Sequence, residues 1–302
     1  MLKACWPAIG EHVRELFQRC LLTGHHPKPF RTAEVVMIPK PGKPDYSSPR
    51  AYRPISLLSC LGKGLERLVA KRIAWTVVAH GILAPQHFGA LPKRAATDLV
   101  AALVHDVEQA LDQGFVATMV TADVKGAFDA ALVGRLVVRM REQGWPDLLI
   151  KWVQSFMTGR SARVRFEGIV TETKPLNCGL PQGSPASPIL YMLYTEPICG
   201  RLGTKRRRFG YADDIAILTV GRTLETTTQE ASEQLQDLIS WGQENAIEFD
   251  PGKTEVMHFS RKQNTDNPPV RHGDHAKTAK PSLRWLGILL DRKLTFKDHV
   301  CH

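Results

Sequence analysis

Two adjacent carboxylates, Asp213 and Asp214, stand between apolar segments, Phe209-Gly210-Tyr211-Ala212 before them and Ile215-Ala216-Ile217-Leu218 after. Neighbouring side chains on an extended strand point to opposite faces, so both acids reach one site only at the bend of a hairpin. Two like charges held there are costly unless a cation offsets them. An all-oxygen set suits Mg²⁺, which takes one or two carboxylates and completes its shell with phosphates and water. A polar β-turn, where Asp is common, accounts for the same dipeptide without a metal. A third acid, Asp123, ends the apolar run Val116-Ala117-Thr118-Met119-Val120-Thr121-Ala122 and precedes Val124-Lys125-Gly126-Ala127-Phe128-Asp129. Two-metal phosphoryl transfer places its ions about 3.5–4 Å apart, and Asp123 with Asp213 and Asp214 is a sensible ligand set for it. Asp129 is read instead as the cap of the following helix.

Three further clusters carry charge or backbone suited to phosphates. Asn177-Cys178-Gly179-Leu180-Pro181-Gln182-Gly183-Ser184-Pro185 brackets a Pro-Gln pair with glycines just ahead of a helix. Glycine lets backbone approach a ligand closely, and a helix N-terminus favours phosphate. Lys40, Lys43 and Arg53 lie in Ile38-Pro39-Lys40-Pro41-Gly42-Lys43 and Tyr52-Arg53-Pro54-Ile55-Ser56-Leu57. They offer charge to a triphosphate, Arg53 bidentately, although any one alone also reads as a solvated surface charge. Gly252-Lys253-Thr254-Glu255 is no Walker A loop, since Ile247 stands where its first glycine is required.

Apolar spacing predicts the elements that must hold these groups. Helices are expected at 10–24, 62–79, 97–113, 130–143, 147–158, 184–202 and 224–245. Strands are expected at 35–38, 115–123, 207–220 (as strand–turn–strand around the acid pair), 247–250, 255–259 and 284–290, with a hairpin near 163–173. The segment 263–281 reads as a loose loop, and His25-His26 as a polar loop before Pro27. Helices on one side of an antiparallel sheet form an α+β plan.

The 302 residues include 40 Lys+Arg against 30 Asp+Glu, a formal charge of +10. Such a surplus favours a polyanionic partner through counterion release, and basic membrane-surface proteins share it. No segment approaches the roughly 20 apolar residues of a membrane span, and the N-terminus lacks the apolar core of a secretory signal. Six scattered cysteines without a CxxC pair point to unpaired thiols in a reducing, intracellular compartment, nucleus or cytoplasm, and argue against zinc.

Together these motifs resemble the reverse transcriptase family, specifically the type found in non-LTR retrotransposons, in the family's motif order from about residue 14 onward. Tyr211-Ala212-Asp213-Asp214 matches its Tyr-x-Asp-Asp hairpin and Asp123 to Asp129 its first catalytic motif. The resemblance implies right-hand fingers at 1–114, with a return at about 130–175, and a palm at 115–302 that stops before a thumb. It implies that Asp123, Asp213, Asp214 and the Val124 carbonyl hold two Mg²⁺ ions, with Mn²⁺ as a substitute. Phe128 falls where the 2′-hydroxyl of a ribonucleotide is blocked. Gln182 and Gly183 would contact the incoming nucleotide and template, and Lys253 would protonate departing pyrophosphate. Leu283-Arg284-Trp285-Leu286-Gly287-Ile288 resembles the primer grip, with Trp285 as anchor or core residue. The implied partners are an RNA template, a DNA primer and dNTPs, with no small-molecule cofactor. A missing thumb would predict poor processivity, as in a decayed copy or truncated gene. The open alternatives are an RNA-dependent RNA polymerase, which Phe128 opposes, and a silent nucleic-acid-binding remnant.

Overall fold

The computed structural model describes residues 2–200, 207–262 and 266–301. In chain order the chain forms α1 (Leu2–Thr23), β1 (Thr32–Pro39), β2 (Tyr52–Leu57), α2 (Cys60–His80), β3 (His87–Phe88), α3 (Ala96–Asp112) and β4 (Val116–Asp123). Next come α4 (Ala127–Ala130), α5 (Val133–Glu142), α6 (Asp147–Met157), β5 (Arg160–Phe166), β6 (Ile169–Val170) and β7 (Lys174–Leu176). The remainder is α7 (Ser187–Tyr194), α8 (Glu196–Cys199), β8 (Arg207–Tyr211), β9 (Asp214–Gly221), α9 (Leu224–Glu244) and β10 (Glu255–Phe259). Two hairpins, β11 (Val270–His272) with β12 (His275–Lys277) and β13 (Ser282–Trp285) with β14 (Ile288–Asp291), precede α10 (Lys297–Val300). The expected α+β class holds, and among the described residues no helix is long and apolar enough to cross a membrane.

The residues form two compact units, one from residues up to Trp75 with Phe128–Tyr194, the other from Thr76–Ala127 with Thr195 onward. In the first, β1 pairs antiparallel with β2 and parallel with β5, and β5 carries β6 and β7 at its other edge. Its buried rings include Trp152 and Phe156, stacked at 5.3 Å. His26 is fully buried among these rings and faces Glu66 at 3.6 Å, so the reading of His25-His26 as a polar loop is corrected for His26. That burial pushes its pKa down to about 3, helped by the charges of Arg160 and Arg31.

In the second unit a five-stranded sheet has the order β10-β4-β9-β8-β3, antiparallel throughout except for the parallel edge pair β3–β8. Leu99, Leu103 and Val107 of α3 pack on one face with Ala117, Met119 and Leu218. On the other face α9 covers the sheet, where the Thr227 and Thr118 hydroxyls meet at 2.7 Å and the Thr219 hydroxyl donates to the Thr227 carbonyl at 2.8 Å. The expectation of helices on one face is therefore corrected. The uninterrupted run Val116–Val120, all buried, is the pattern of a strand covered on both sides.

Several boundaries also differ. The expected helix at 184–202 starts at Ser187 and breaks at Tyr194, and residues 201–202 lie outside the described residues. Pro197 has no N–H to return to the Leu193 carbonyl, which accepts instead from Gln143 Nε2 at 3.4 Å. Residues 247–250 form only an isolated bridge, Val124 to Phe249, rather than a strand. The expected strand 284–290 is the β13–β14 hairpin, turning on Leu286 (φ 48°) and Gly287 (φ 88°), a double positive-φ geometry favoured by two-residue hairpins. The loop 263–281 contains the β11–β12 hairpin, and its residues 263–265 lie outside the described residues. Asp129 caps nothing: α5 begins after Leu132 without a side-chain cap, while Asp129 sits inside α4.

Candidate active site

The second unit assembles an acid cluster at one end of its sheet. Antiparallel pairing of β4 with β9 sets Asp123 directly opposite Asp214, and directly opposed residues share a face. Tyr211 and Asp214 close the β8–β9 hairpin, leaving Ala212 and Asp213 as its two-residue turn. Ala212 adopts φ 56°, and its N–H donates to the Phe88 carbonyl at 3.1 Å. Gly89 makes this approach possible, because a Cβ there would sit 3.0 Å from the Ala212 nitrogen. The 86–94 segment carries no chemistry-bearing motif in the sequence, and Gly89 between the apolar Phe88 and Ala90 is its one local signal.

Lys253 completes the cluster. Its Nζ donates to Asp123 Oδ2 at 2.7 Å and its side chain stays 60% exposed. A short turn, Pro251–Lys253, presents it, with the Asp250 carboxylate accepting from the Gly252 N–H at 2.9 Å. Asp250 also donates its N–H to the Asp123 carbonyl at 3.0 Å, and Lys125 N–H donates to the Glu248 carbonyl at 2.8 Å. These two bonds flank Val124, whose own carbonyl takes part in neither.

The charges respond to one another. Burial raises the pKa of Asp213, and the Asp123 charge raises it further. Asp214 is pushed up to about 6, first by the protein crowded around its carboxyl, then by Asp213 and Asp123. The side chain of Asp214 nevertheless reaches solvent, so the like charges are the part of this shift a cation would cancel. The Lys253 ammonium is raised by its bond to Asp123. Among the described residues no group of three or more His, Cys, Asp or Glu stands ready to cage a metal. An all-carboxylate set that repels itself and already draws in an ammonium is chemically suited to a hard divalent cation.

The first unit holds the glycine-rich loop and the finger cations. The Leu180 N–H donates to the Phe128 carbonyl at 2.7 Å and the Gly179 N–H to Ala131 at 3.0 Å. On its other side the Ser56 N–H donates to the Gln182 carbonyl at 2.7 Å. Gly183, at φ 127°, lies so close to Ser56 that a Cβ would be 2.6 Å from its carbonyl oxygen. The loop is thus pinned between β2 and α4, with Leu180 and Pro181 buried and Gln182 partly open. Phe128 is half-buried and its ring lies 5.2 Å from that of the buried Tyr191. Arg53 is exposed opposite Ile38, and Lys43 is exposed. Lys40 is tied down, its Nζ donating to the Arg50 carbonyl at 3.0 Å. Back in the second unit, Trp285 is a core residue packed with Leu283 and Leu290, leaving the Leu286-Gly287 turn as the open part of its hairpin.

Comparison with known proteins decides the family. The model for "Reverse transcriptase (RNA-dependent DNA polymerase)" matches residues 38–290, which contain every one of these groups. The chain belongs to the reverse transcriptase family. Its relatives place it with the reverse transcriptases of non-LTR retrotransposons. It is 30% identical to the probable RNA-directed DNA polymerase from transposon BS of Drosophila melanogaster, over 94% of this chain and 32% of that protein. It is 29% identical to the RNA-directed DNA polymerase from mobile element jockey of Drosophila funebris, over 94% of this chain and 31% of that one. The chain therefore spans about a third of the length of these relatives. Among solved structures, telomerase from Candida albicans in complex with a fragment of telomeric RNA aligns with a TM-score of 0.61, covering 93% of this chain and 48% of that one. At 12% identity that likeness concerns the fold alone.

Proposed function

We propose that this reverse transcriptase chain carries the polymerising core of a retrotransposon enzyme: RNA-directed transfer of deoxynucleotides to a primer 3′-hydroxyl. The observation that carries the reading is the β4–β9 register, which sets Asp123 against Asp214 with Asp213 in the adjoining turn. In this reading Asp123, Asp213, Asp214 and the Val124 carbonyl hold divalent cations, Mg²⁺ by donor chemistry. Bound metal supplies activation of the attacking hydroxyl and neutralisation of charge on the leaving oxygens. The chain's own groups do the rest. Lys253, already hydrogen-bonded inside the cluster, is placed to give a proton to the departing pyrophosphate oxygen as its bond to Asp123 is exchanged. Arg53 and Lys43 offer positive charge to the triphosphate, and Lys40, held by the Arg50 carbonyl, shapes the loop between them. Gln182 and Gly183 present the pinned loop to nucleotide and template. Phe128, backed by the buried Tyr191, is the steric check on a ribose 2′-hydroxyl. Trp285 anchors the Leu286-Gly287 turn as the primer grip. The unit built on β4, β8, β9 and β10 is read as palm and the β1–β2–β5 sheet as fingers.

Primer extension on poly(rA)/oligo(dT) with Mg²⁺ and dTTP tests this, beside Asp213→Ala. Extension that disappears in the variant supports it. Folded protein that binds the duplex without extending it points to a silent remnant. Extension with UTP equal to that with dTTP points to an RNA polymerase and removes the role given to Phe128.

A further inference from the structure

Helix α2 has one face in the core and another that stays open to solvent among the described residues. Leu65, Val69, Ile73 and Val77, spaced by four, are all no more than 2% exposed. Its only carboxylate, Glu66, is fully buried beside His26. The opposite face carries Arg67, Leu68, Lys71 and Trp75, all solvent-exposed, with Trp75 68% exposed. Arg67, Lys71 and Trp75 fall at i, i+4 and i+8, one line about 12 Å long on the helix surface. None of the ion pairs among the described residues involves Arg67 or Lys71, and α1, which packs Phe17 near Gly64, pairs its own Glu11 and Glu15 with Arg14 and Arg19. A large exposed indole in line with two cations, on a helix whose single acid is hidden, is complementary to a strand of phosphates with unpaired bases.

We propose that this face of α2 binds single-stranded RNA, with Arg67 and Lys71 on phosphates and Trp75 stacked on a base. The inference rests on the polymerase reading only for the identity of the strand, which would be template outside the catalytic cluster. A membrane surface is disfavoured because the exposed face sets Leu68, Trp75 and Val78 among Arg67, Lys71 and Arg72, a narrow apolar row beside the wide apolar face that the helix already buries in the core. A protein partner is disfavoured because Lys is depleted from the centres of such interfaces.

The test is fluorescence anisotropy of labelled oligo(rU) with the full chain and no dNTP, over 50–200 mM salt. Single strands lose affinity with a slope of about −0.7 per phosphate contacted. Arg67→Ala with Lys71→Ala should flatten the log–log slope by about 1.4 and weaken binding several-fold at the lowest salt. Trp75→Ala should weaken binding roughly 10-fold with an unchanged slope, and Trp75→Phe should restore most of it. A charge-matched control, Lys293→Ala with Lys297→Ala, should lose far less, both residues being exposed on the second unit. Affinity and slope equal to the parent in the α2 variants overturn the proposal, as does an equal loss in the control. Phosphatidylserine vesicles that capture the parent and not the α2 variants, with RNA affinity unmoved, overturn it in favour of a lipid surface. Because no synthesis is read, RNA binding lost in these variants stands even if extension fails, and intact extension does not rescue it.

Discussion

Replacing Gly183 by alanine probes the pinned loop most directly, because two independent penalties coincide there. At φ 127° any L side chain is strained, typically by about 1–3 kcal/mol. In addition the new Cβ would lie 2.6 Å from the Ser56 carbonyl oxygen, a backbone atom that cannot swing aside like a side-chain tip. Ser56 is fixed twice, by its register with Val35 in the β1–β2 ladder and by its N–H bond to the Gln182 carbonyl. Relieving the clash should break that last bond, adding about 1 kcal/mol. The total, about 2–4 kcal/mol, is a large share of the 5–15 kcal/mol of an ordinary domain, yet leaves the chain folded. Gly168→Ala separates the two penalties within the same unit: its φ is 81°, and a Cβ there meets nothing within 4 Å. It should lose only the strain of a left-handed alanine, about 1–2 kcal/mol. Urea unfolding followed by tryptophan fluorescence gives both values, read as midpoint shifts at constant m. Primer extension should fall in Gly183→Ala and hold in Gly168→Ala. Equal destabilisation by the two substitutions would refute the close approach of the loop to β2, and with it the reason for glycine at 183.

Other expectations follow from charge and burial. Lys253→Ala should change the unfolding midpoint little, its side chain being 60% exposed, while slowing single-nucleotide incorporation by roughly 10²–10⁴-fold; a decrease under tenfold would remove it as the proton donor. His26 and His87 are lowered by burial to about 3 and about 4, so near pH 5 the unfolded chain binds almost two more protons than the folded one at these sites. Their stability contribution is present above pH 6.5 and lost as pH falls through the window to 3, so stability should drop steeply on acidification across that window. Glu66, raised by burial, opposes this, so the clean measurement is His26→Phe, which should flatten the acid limb of a stability–pH curve. Cys5, Cys60, Cys178 and Cys301 are exposed and should react promptly with a thiol reagent at pH 8. The buried Cys20 should react only on unfolding, and the half-buried Cys199, its thiol pushed up to about 12 by the protein around it, far more slowly than the exposed four; six fast thiols in native protein would contradict the packing.

Legibility in the sequence followed the range of the forces involved. The acid hairpin could be read because both its signals are local: apolar strand residues on either side and two acids at the bend. The helix at 97–113 was equally plain, since an apolar stripe at 3.6 spacing needs no knowledge of its partner, and it lies within a residue of α3; the segment 224–245 reads as a polar helix and matches α9 within a residue. The β13–β14 turn was hidden because Leu286-Gly287 lacks the Asn-Gly or Asp-Gly signature of a tight hairpin, so two strands read as one. His26 was missed because its burial is decided by Trp152, Phe156 and Glu66, none of them near it in sequence. The role of Lys253 against Asp123 is likewise tertiary, set by the Asp250 N–H on the Asp123 carbonyl and visible beforehand only as a family resemblance.

The acid cluster and the core it sits on are specified by one register. Asp123 shares strand parity with Ala117 and Met119, and Asp214 with Ala216 and Leu218, the residues packed under α3 and the β13–β14 hairpin. A one-residue slip of β4 against β9 would turn that apolar set away from its cover and carry Asp123 to the opposite face from Asp214. The hydrophobic free energy that fixes the pairing therefore also fixes the acids, without any attraction between them. That is why a cluster of mutually repelling carboxylates can persist in the folded chain: their repulsion, which adds to burial in raising Asp213 and Asp214, acts on groups whose backbones are already held by the buried face of the sheet. The residual repulsion is then available to a cation, whether the Lys253 ammonium seen at Asp123 or a metal that displaces it.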